Sequence, residues 1–161
     1  MSTSSFQSKV EAQDLAYIAV FAAVIIVLGF VSIPVGAAGV PIVMQNAACI
    51  LAALVLGPKR GTYTVLLFLL IGLALPVLAG GRTVVYALGS PTVGYLVGYV
   101  ASALVAGLIA CRASSKNSFA SIALLLLAGF AGLFLQYFFG VLGLMARASM
   151  TFGAAWAAQL P

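Results

Sequence analysis

The sequence predicts an all-α fold, a polytopic bundle of transmembrane helices, and three observations carry that prediction. Of its 161 residues 65% are hydrophobic and only 6% charged, where soluble domains carry roughly 25% charged residues. Apolar runs recur along the chain at close to the ~20 residues that cross a bilayer as a helix. Between these runs lie proline–glycine clusters or short basic turns, which are the usual interruptions of helical continuity. A water-soluble domain of this length has too little interior to hide so much apolar surface.

Five spans follow in order. The first covers 15–33. Ser8-Lys9-Val10-Glu11 ahead of it has the form of a capping box, which places the helix start in the polar N-terminal segment. No charge occurs between Asp14 and Lys59, too long a stretch for one helix, and Pro34-Val35-Gly36-Ala37-Ala38-Gly39-Val40-Pro41 breaks it. The second span is therefore 42–56, and Gly57-Pro58-Lys59-Arg60-Gly61 is a tight basic turn. A third span, 62–78, leads to a glycine-rich loop at Gly80-Gly81-Arg82. Ser90-Pro91 introduces the fourth, 92–110, and a polar stretch from Cys111 to Ser118 ends it. The fifth is 119–144, and the small-residue-rich tail from Arg147 to Pro161 reads as a loop or short interfacial helix. The organisation is thus a cytoplasmic N-terminal segment, 1–14, and one membrane-embedded domain, 15–161.

Charge placement gives an orientation and excludes several activities. With the N-terminus cytoplasmic, Lys9, Lys59, Arg60, Arg112 and Lys116 fall inside and only Arg82 and Arg147 outside, as the positive-inside rule demands. The net charge of +5 is dispersed between apolar runs, so it does not form the clustered basic patch of a nucleic-acid surface. Histidine is absent and the only acids are Glu11 and Asp14. Carboxylate or imidazole chemistry, and metal binding built on it, therefore has almost no raw material. There is no G-x-x-x-x-G-K-[ST] loop for nucleotide phosphates. No charge sits mid-span to relay protons, and no inverted repeat is visible. Cys49 and Cys111 read as small buried side chains rather than a disulfide. What remains is a passive solute-holding protein whose energy comes from elsewhere.

A few polar residues are candidates for holding that solute. Gln45 and Asn46 in the second span, and Gln136 and Tyr137 in the fifth, interrupt apolar runs and should face the bundle interior. They serve either as a site or as glue between helices. Pro91-Thr92-Val93-Gly94-Tyr95-Leu96-Val97-Gly98-Tyr99 has one thin face, at Gly94 and Gly98, open to a neighbour's backbone or to a ligand. Thr92 and Tyr95 bring hydroxyls to the start of that helix. Arg82 is either a solvated loop charge or an anchor whose planar fork pairs a carboxylate bidentately. Arg147 reads as a headgroup or loop charge. Ala19 and Ala23 form a small-xxx-small pair that permits close helix approach, within the bundle or to a partner.

An ordered set of motifs then resembles a known family. Val40-Pro41 with Gln45, Leu56-Gly57-Pro58-Lys59-Arg60-Gly61, Pro76-Val77 with Gly80-Gly81, Ser90-Pro91-Thr92 with Gly94-Tyr95-Leu96 and Gly98-Tyr99, and Tyr137 with Gly140-Val141-Leu142 occur in succession. The succession, over roughly residues 15 to 145, resembles the BioY family, the biotin-specific substrate-binding subunits of energy-coupling factor (ECF) transporters. The resemblance implies a multi-pass protein of a prokaryotic cell membrane that captures biotin from outside as transported substrate, without a cofactor. It implies as partners a transmembrane coupling subunit and two cytoplasmic ATPases, contacted through small residues of the first helix, here Ala19 and Ala23. The pocket it implies draws on Val40, Gln45, Gly80, Gly81, Arg82, Tyr86, Pro91, Thr92, Gly94, Tyr95, Gln136 and Tyr137. Arg82 would take the valerate carboxylate, with Tyr and Gln groups on the ureido end. The same architecture for another vitamin, and a structural subunit that binds no solute, stand as alternatives.

Two departures from the family pattern bear on these expectations. Val93-Gly94 replaces the family's Gly-Gly after Pro-Thr. The family also has a sixth helix, opening with an Asp and a Lys that contact biotin. Since the sequence ends at Pro161, where that helix would begin, a chain shortened before its sixth helix is expected.

Overall fold

The structure, a computed structural model, describes residues 3–33, 42–113, 118–157 and 159. Val40 and Lys116 lie outside the described residues. Eight elements follow in order: α1 (Thr3–Gly29), β1 (Ser32–Ile33), β2 (Ile42–Val43), α2 (Met44–Ala74), α3 (Val84–Gly89), α4 (Val93–Ala110), α5 (Ser118–Ala148) and α6 (Phe152–Ala157). Among the described residues, α1 from Glu11, α2, α4 and α5 from Phe119 are long and apolar enough to cross a membrane. Their outward faces carry Leu15, Val20, Val27, Leu70, Leu126 and Phe130, all exposed. In a bilayer such residues meet lipid, so burial alone does not define the core here.

The longest span folds back on itself. A straight helix of the 31 residues of α2 would be about 46 Å long, against a hydrocarbon thickness of about 30 Å. At Gly57 the backbone turns to φ 80°, ψ 179°, a region open in practice only to glycine. Pro58 follows and opens the second half, a position where its missing N–H costs no hydrogen bond. A methyl group on Gly61 would stand 2.5 Å from the Ala53 Cα, whereas residues eight apart in a straight helix are separated by about 12 Å. The two halves are therefore antiparallel neighbours. The five predicted spans thus correspond to α1, the two arms of α2, α4 and α5.

This hairpin gives the bundle two ends. At one, Arg60 pairs with Asp14 of α1 at 2.8 Å, and Gly107 of α4 packs so closely on Pro58 that a methyl there would lie 2.5 Å from its Cα. Lys59, Arg60 and Arg112 are exposed at this end. The other end gathers the C-terminus of α1, the β1–β2 ladder (Ser32 opposite Val43, Ile33 opposite Ile42), α3, and the turn bearing Arg82. Arg147 lies there too, its Nη1 donating to the Gly89 carbonyl at 3.4 Å.

Several expectations need correction. Helix α1 begins at Thr3, so Ser8 lies inside it and Ser8-Lys9-Val10-Glu11 is not its start. A polar N-terminal segment continues a helix when the apolar span behind it has already nucleated the backbone, because propagation is far cheaper than nucleation. The first span stops at Gly29, four residues short of the predicted end, because the chain enters the two-residue ladder. Helix α3, between the glycine-rich loop and Ser90-Pro91, was not among the predicted elements; Thr83 caps it, its hydroxyl accepting from the Tyr86 amide at 3.2 Å. Cys111, expected as a small buried side chain, is exposed at the end of α4, while Cys49 is buried and both thiols are free.

Nothing stands within 4 Å of where a Cβ on Gly57 would lie, so alanine there tests the backbone alone. Gly57→Ala is expected to cost about 1–3 kcal/mol, read as a lowered unfolding midpoint of the detergent-solubilised protein. An unchanged midpoint would show that the turn does not depend on glycine.

Candidate functional site

The polar side chains singled out in the sequence collect in the half of the bundle nearest Arg82. Gln45 opens α2 and is fully buried. Its Nε2 donates to the Val77 carbonyl at 2.9 Å and to the Ile25 carbonyl of α1 at 3.3 Å. Two acceptors on that side fix the amide nitrogen there and turn Oε1 the other way. That oxygen is buried and, among the described residues, has no partner.

One residue on, Asn46 begins a network across three helices. Tyr99 of α4 donates its hydroxyl to Asn46 Oδ1 at 2.8 Å. Gln136 of α5 donates its Nε2 to the Asn46 carbonyl at 3.2 Å and to Ser102 Oγ at 2.9 Å. Ser102 donates in turn to the Tyr99 carbonyl at 2.9 Å. Gln136 and Ser102 are fully buried, and Gln136 Oε1, like Gln45 Oε1, has no partner. Tyr99 also packs edge-on against Phe68, with centroids 6.2 Å apart.

Tyr95 lies one helical turn nearer the Arg82 end. Its ring covers Gly140 of α5, where a methyl group would meet three ring carbons within 2.9 Å. The ring meets Tyr137 edge-on at 6.4 Å. Tyr95 is 8% exposed, and its hydroxyl is the third buried polar atom without a partner in this region.

Arg82 stands apart from these groups, at the mouth. Gly80 and Gly81 adopt φ of 74° and 68°, and a bridge between Leu78 and Arg82 closes their turn. The guanidinium is exposed and sits over the Tyr86 ring, 5.2 Å from its centroid. This cation–π contact holds the charge without neutralising it. Thr92 shares a short hydroxyl contact with Ser90 at the entrance to α4, and Pro91 offers its carbonyl to the close approach of Gly143.

The thin face of α4 is occupied by protein. A methyl group on Gly94 would collide with the Phe139 carbonyl, and one on Gly98 would stand 3.0 Å from the Gln136 Cα. Both glycines therefore bring α4 against α5, which carries Gln136 and Tyr137 to their places. Ala19 and Ala23 do the opposite of packing inside: both are exposed, while Ala22, Ile25 and Gly29 form the buried strip of α1.

Sequence reasoning passed over Ser102, and Tyr99 appeared only within a motif. Their signal was present: they lie three apart, on one face of α4. It became readable only once Asn46 and Gln136 stood opposite.

With this geometry in place, the chain was compared with known proteins. All of it, residues 1–161, matches the BioY family. The chain belongs to that family. It is 35% identical to the biotin transporter BioY of Rhizobium etli over 153 residues, covering 92% of this chain and 82% of the relative. Against the Rhodobacter capsulatus biotin transporter BioY the identity is 41% over 133 residues, covering 81% and 68%. A crystal structure of the S-component for biotin from an ECF-type ABC transporter superposes with a TM-score of 0.80 at 29% identity, covering 99% of this chain and 82% of that one. This is a family of multi-pass membrane transporter components, not of enzymes.

If the Asn46–Tyr99 bond ties α2 to α4, Tyr99→Phe should lower stability by about 0.6–1.7 kcal/mol, the range of hydrogen bonds between membrane helices. Unfolding in detergent measures it. No change would mean that Asn46 Oδ1 finds water or another donor.

Proposed function

We propose that this BioY-family chain captures biotin at the Arg82 end of the bundle and presents it to an ECF transporter. The observation that carries the reading is the set of three buried polar atoms without a partner among the described residues, Gln45 Oε1, Gln136 Oε1 and Tyr95 OH, in a bundle whose Arg82 guanidinium is exposed. An unsatisfied polar group away from water costs roughly 1–3 kcal/mol, so three on one side of the bundle are expensive unless a ligand pairs them. Biotin has the complementary inventory. Its cyclic urea carries two N–H donors for the two amide oxygens and one carbonyl for the tyrosine hydroxyl. The fused rings are apolar enough for the aromatic surfaces of Tyr95, Tyr137 and Phe68. The valerate tail would leave its carboxylate near the mouth, where Arg82 can pair with it through two parallel hydrogen bonds. Gly80, Gly81, Tyr86, Pro91, Thr92 and Gly94 are assigned to the walls and frame of the same pocket.

The partner side is assigned to α1. Its exposed Ala19 and Ala23 offer a shallow strip on which another helix can lie closely. The occupant we assign is the transmembrane coupling subunit, which two cytoplasmic ATPases would drive. The N-terminus is placed in the cytoplasm, with Lys59, Arg60 and Arg112 on that side. Arg82 and the binding groups then open outward, as capture from outside requires.

Titration of the solubilised protein with biotin and with biotin methyl ester tests the site. Arg82→Ala should weaken biotin by about tenfold to a hundredfold, the range for a hydrogen bond to a charged group, and change the ester little. Equal losses for both ligands would remove Arg82 from carboxylate recognition. Saturable binding of a different vitamin with no binding of biotin would overturn the ligand assignment.

A further inference from the structure

The turn that bears Arg82 is braced from within. Leu78 N donates to the Arg82 carbonyl at 2.9 Å, Arg82 N donates back at 3.3 Å, and Gly81 N donates to the Leu78 carbonyl at 3.0 Å. The two ends of the turn are seated on the bundle. Val77 and Val84 are 3% and 5% exposed, and both press on Gly72, where a methyl group would stand 2.8 and 2.6 Å from their Cγ2 atoms.

The opposite side of the seat is a latch. Gln45 Nε2 joins the Val77 carbonyl to the Ile25 carbonyl, so one amide ties the turn to α1. The amide passes directly over Gly29. A methyl group at Gly29 would lie 2.5 Å from Gln45 Nε2 and 2.9 Å from the Val77 carbonyl oxygen. No substituent larger than hydrogen leaves room for both hydrogen bonds.

We infer that Gly29 is a positioning residue for ligand recognition. The space it leaves admits the Gln45 amide that ties Val77 to α1, and this sets where the Arg82 guanidinium meets a carboxylate. The inference rests on the biotin reading given above. Gly29 itself touches no ligand in this account; it acts through Gln45 and the turn. Alanine at 29 meets no backbone strain, since Gly29 is not among the glycines of positive φ. The atom it strikes first is the far end of a flexible side chain, so the expected response is a released amide rather than an unfolded chain.

Two measurements on full-length Gly29→Ala in detergent test this. The first is amide hydrogen exchange, which needs no ligand. Losing the latch should speed exchange in 77–83 by about tenfold, equivalent to ~1.4 kcal/mol of local opening, and leave 95–110 unchanged. Unaltered exchange in 77–83 would overturn the latch. The second is titration with biotin and biotin methyl ester. Biotin should weaken by about tenfold and the ester much less, with no further loss when Gly29→Ala is added to Arg82→Ala. Equal losses for the two ligands, or additive losses with Arg82→Ala, would overturn positioning of the guanidinium and leave Gly29 a packing residue. Gly72→Ala, which lifts the same turn from its other side, should reproduce the pattern and serves if Gly29→Ala does not fold. Failure of the unaltered protein to bind either ligand would overturn the biotin reading, while the exchange result would still decide the latch.

Discussion

Pairing of buried amides in a medium without water is the constraint on which this structure rests. Hydrocarbon offers no partner to a side-chain amide, so Gln45, Asn46 and Gln136 must find theirs in the protein. They do so across elements: Gln45 reaches α1 and the segment after α2, and Gln136 reaches α2 and α4. Apolar packing between membrane helices gains little from the hydrophobic effect, because lipid is as apolar as leucine. The directional bonds therefore select one arrangement among several of similar apolar contact. Gly94 and Gly98 make the arrangement reachable, since α4 must approach α5 closely before Gln136 and Ser102 come within 2.9 Å.

The same economy shapes the site. Gln45 and Gln136 each use the nitrogen for the fold and keep the oxygen unpaired among the described residues, whereas the Asn46 oxygen accepts from Tyr99. A protein that used both atoms structurally would be more stable and have nothing left with which to recognise a polar ring. On the reading proposed above, stability forgone within the membrane would be converted into ligand affinity, a common property of binding sites. Charge is handled differently. Arg82 stays exposed, where water and the Tyr86 ring carry it, so no buried cation has to be compensated.

Helix α1 occupies a peculiar place in this scheme. It touches the rest of the bundle along one narrow strip and leaves Ala19 and Ala23 outside, yet through the Ile25 carbonyl it is bonded to the amide that also bonds Val77 ahead of the Arg82 turn. At its other end Asp14 pairs with Arg60 in the basic turn. That pair is partly exposed, and exposed pairs contribute ~0–1 kcal/mol; it aligns α1 with the hairpin more than it holds it there. The helix is therefore bonded near its C-terminus, aligned through Asp14 near the start of its apolar span, and free along its outer face.

Much of this was legible in the residues alone. The spans, the breaks at Gly57-Pro58 and Ser90-Pro91, the separation of basic residues between two ends and the inward placement of Gln45, Asn46 and Gln136 all follow from local composition, because the bilayer acts on each segment independently. The motifs pointed to the BioY family for the same reason: they are short and read in order. Local signals failed where the deciding partner is distant. The Ser8 box lost to an already propagating helix, α3 was hidden in a glycine-rich stretch, and Gly94 and Gly98 were ambiguous between a ligand and a neighbour. Gln45 meets Val77 across 32 residues and Gln136 meets Asn46 across 90. Hydropathy along the chain determined that these side chains point inward. Only the tertiary structure decided which atom of each is spent and which is left, because a hydrogen bond depends on ångström-scale placement that no one-dimensional pattern encodes.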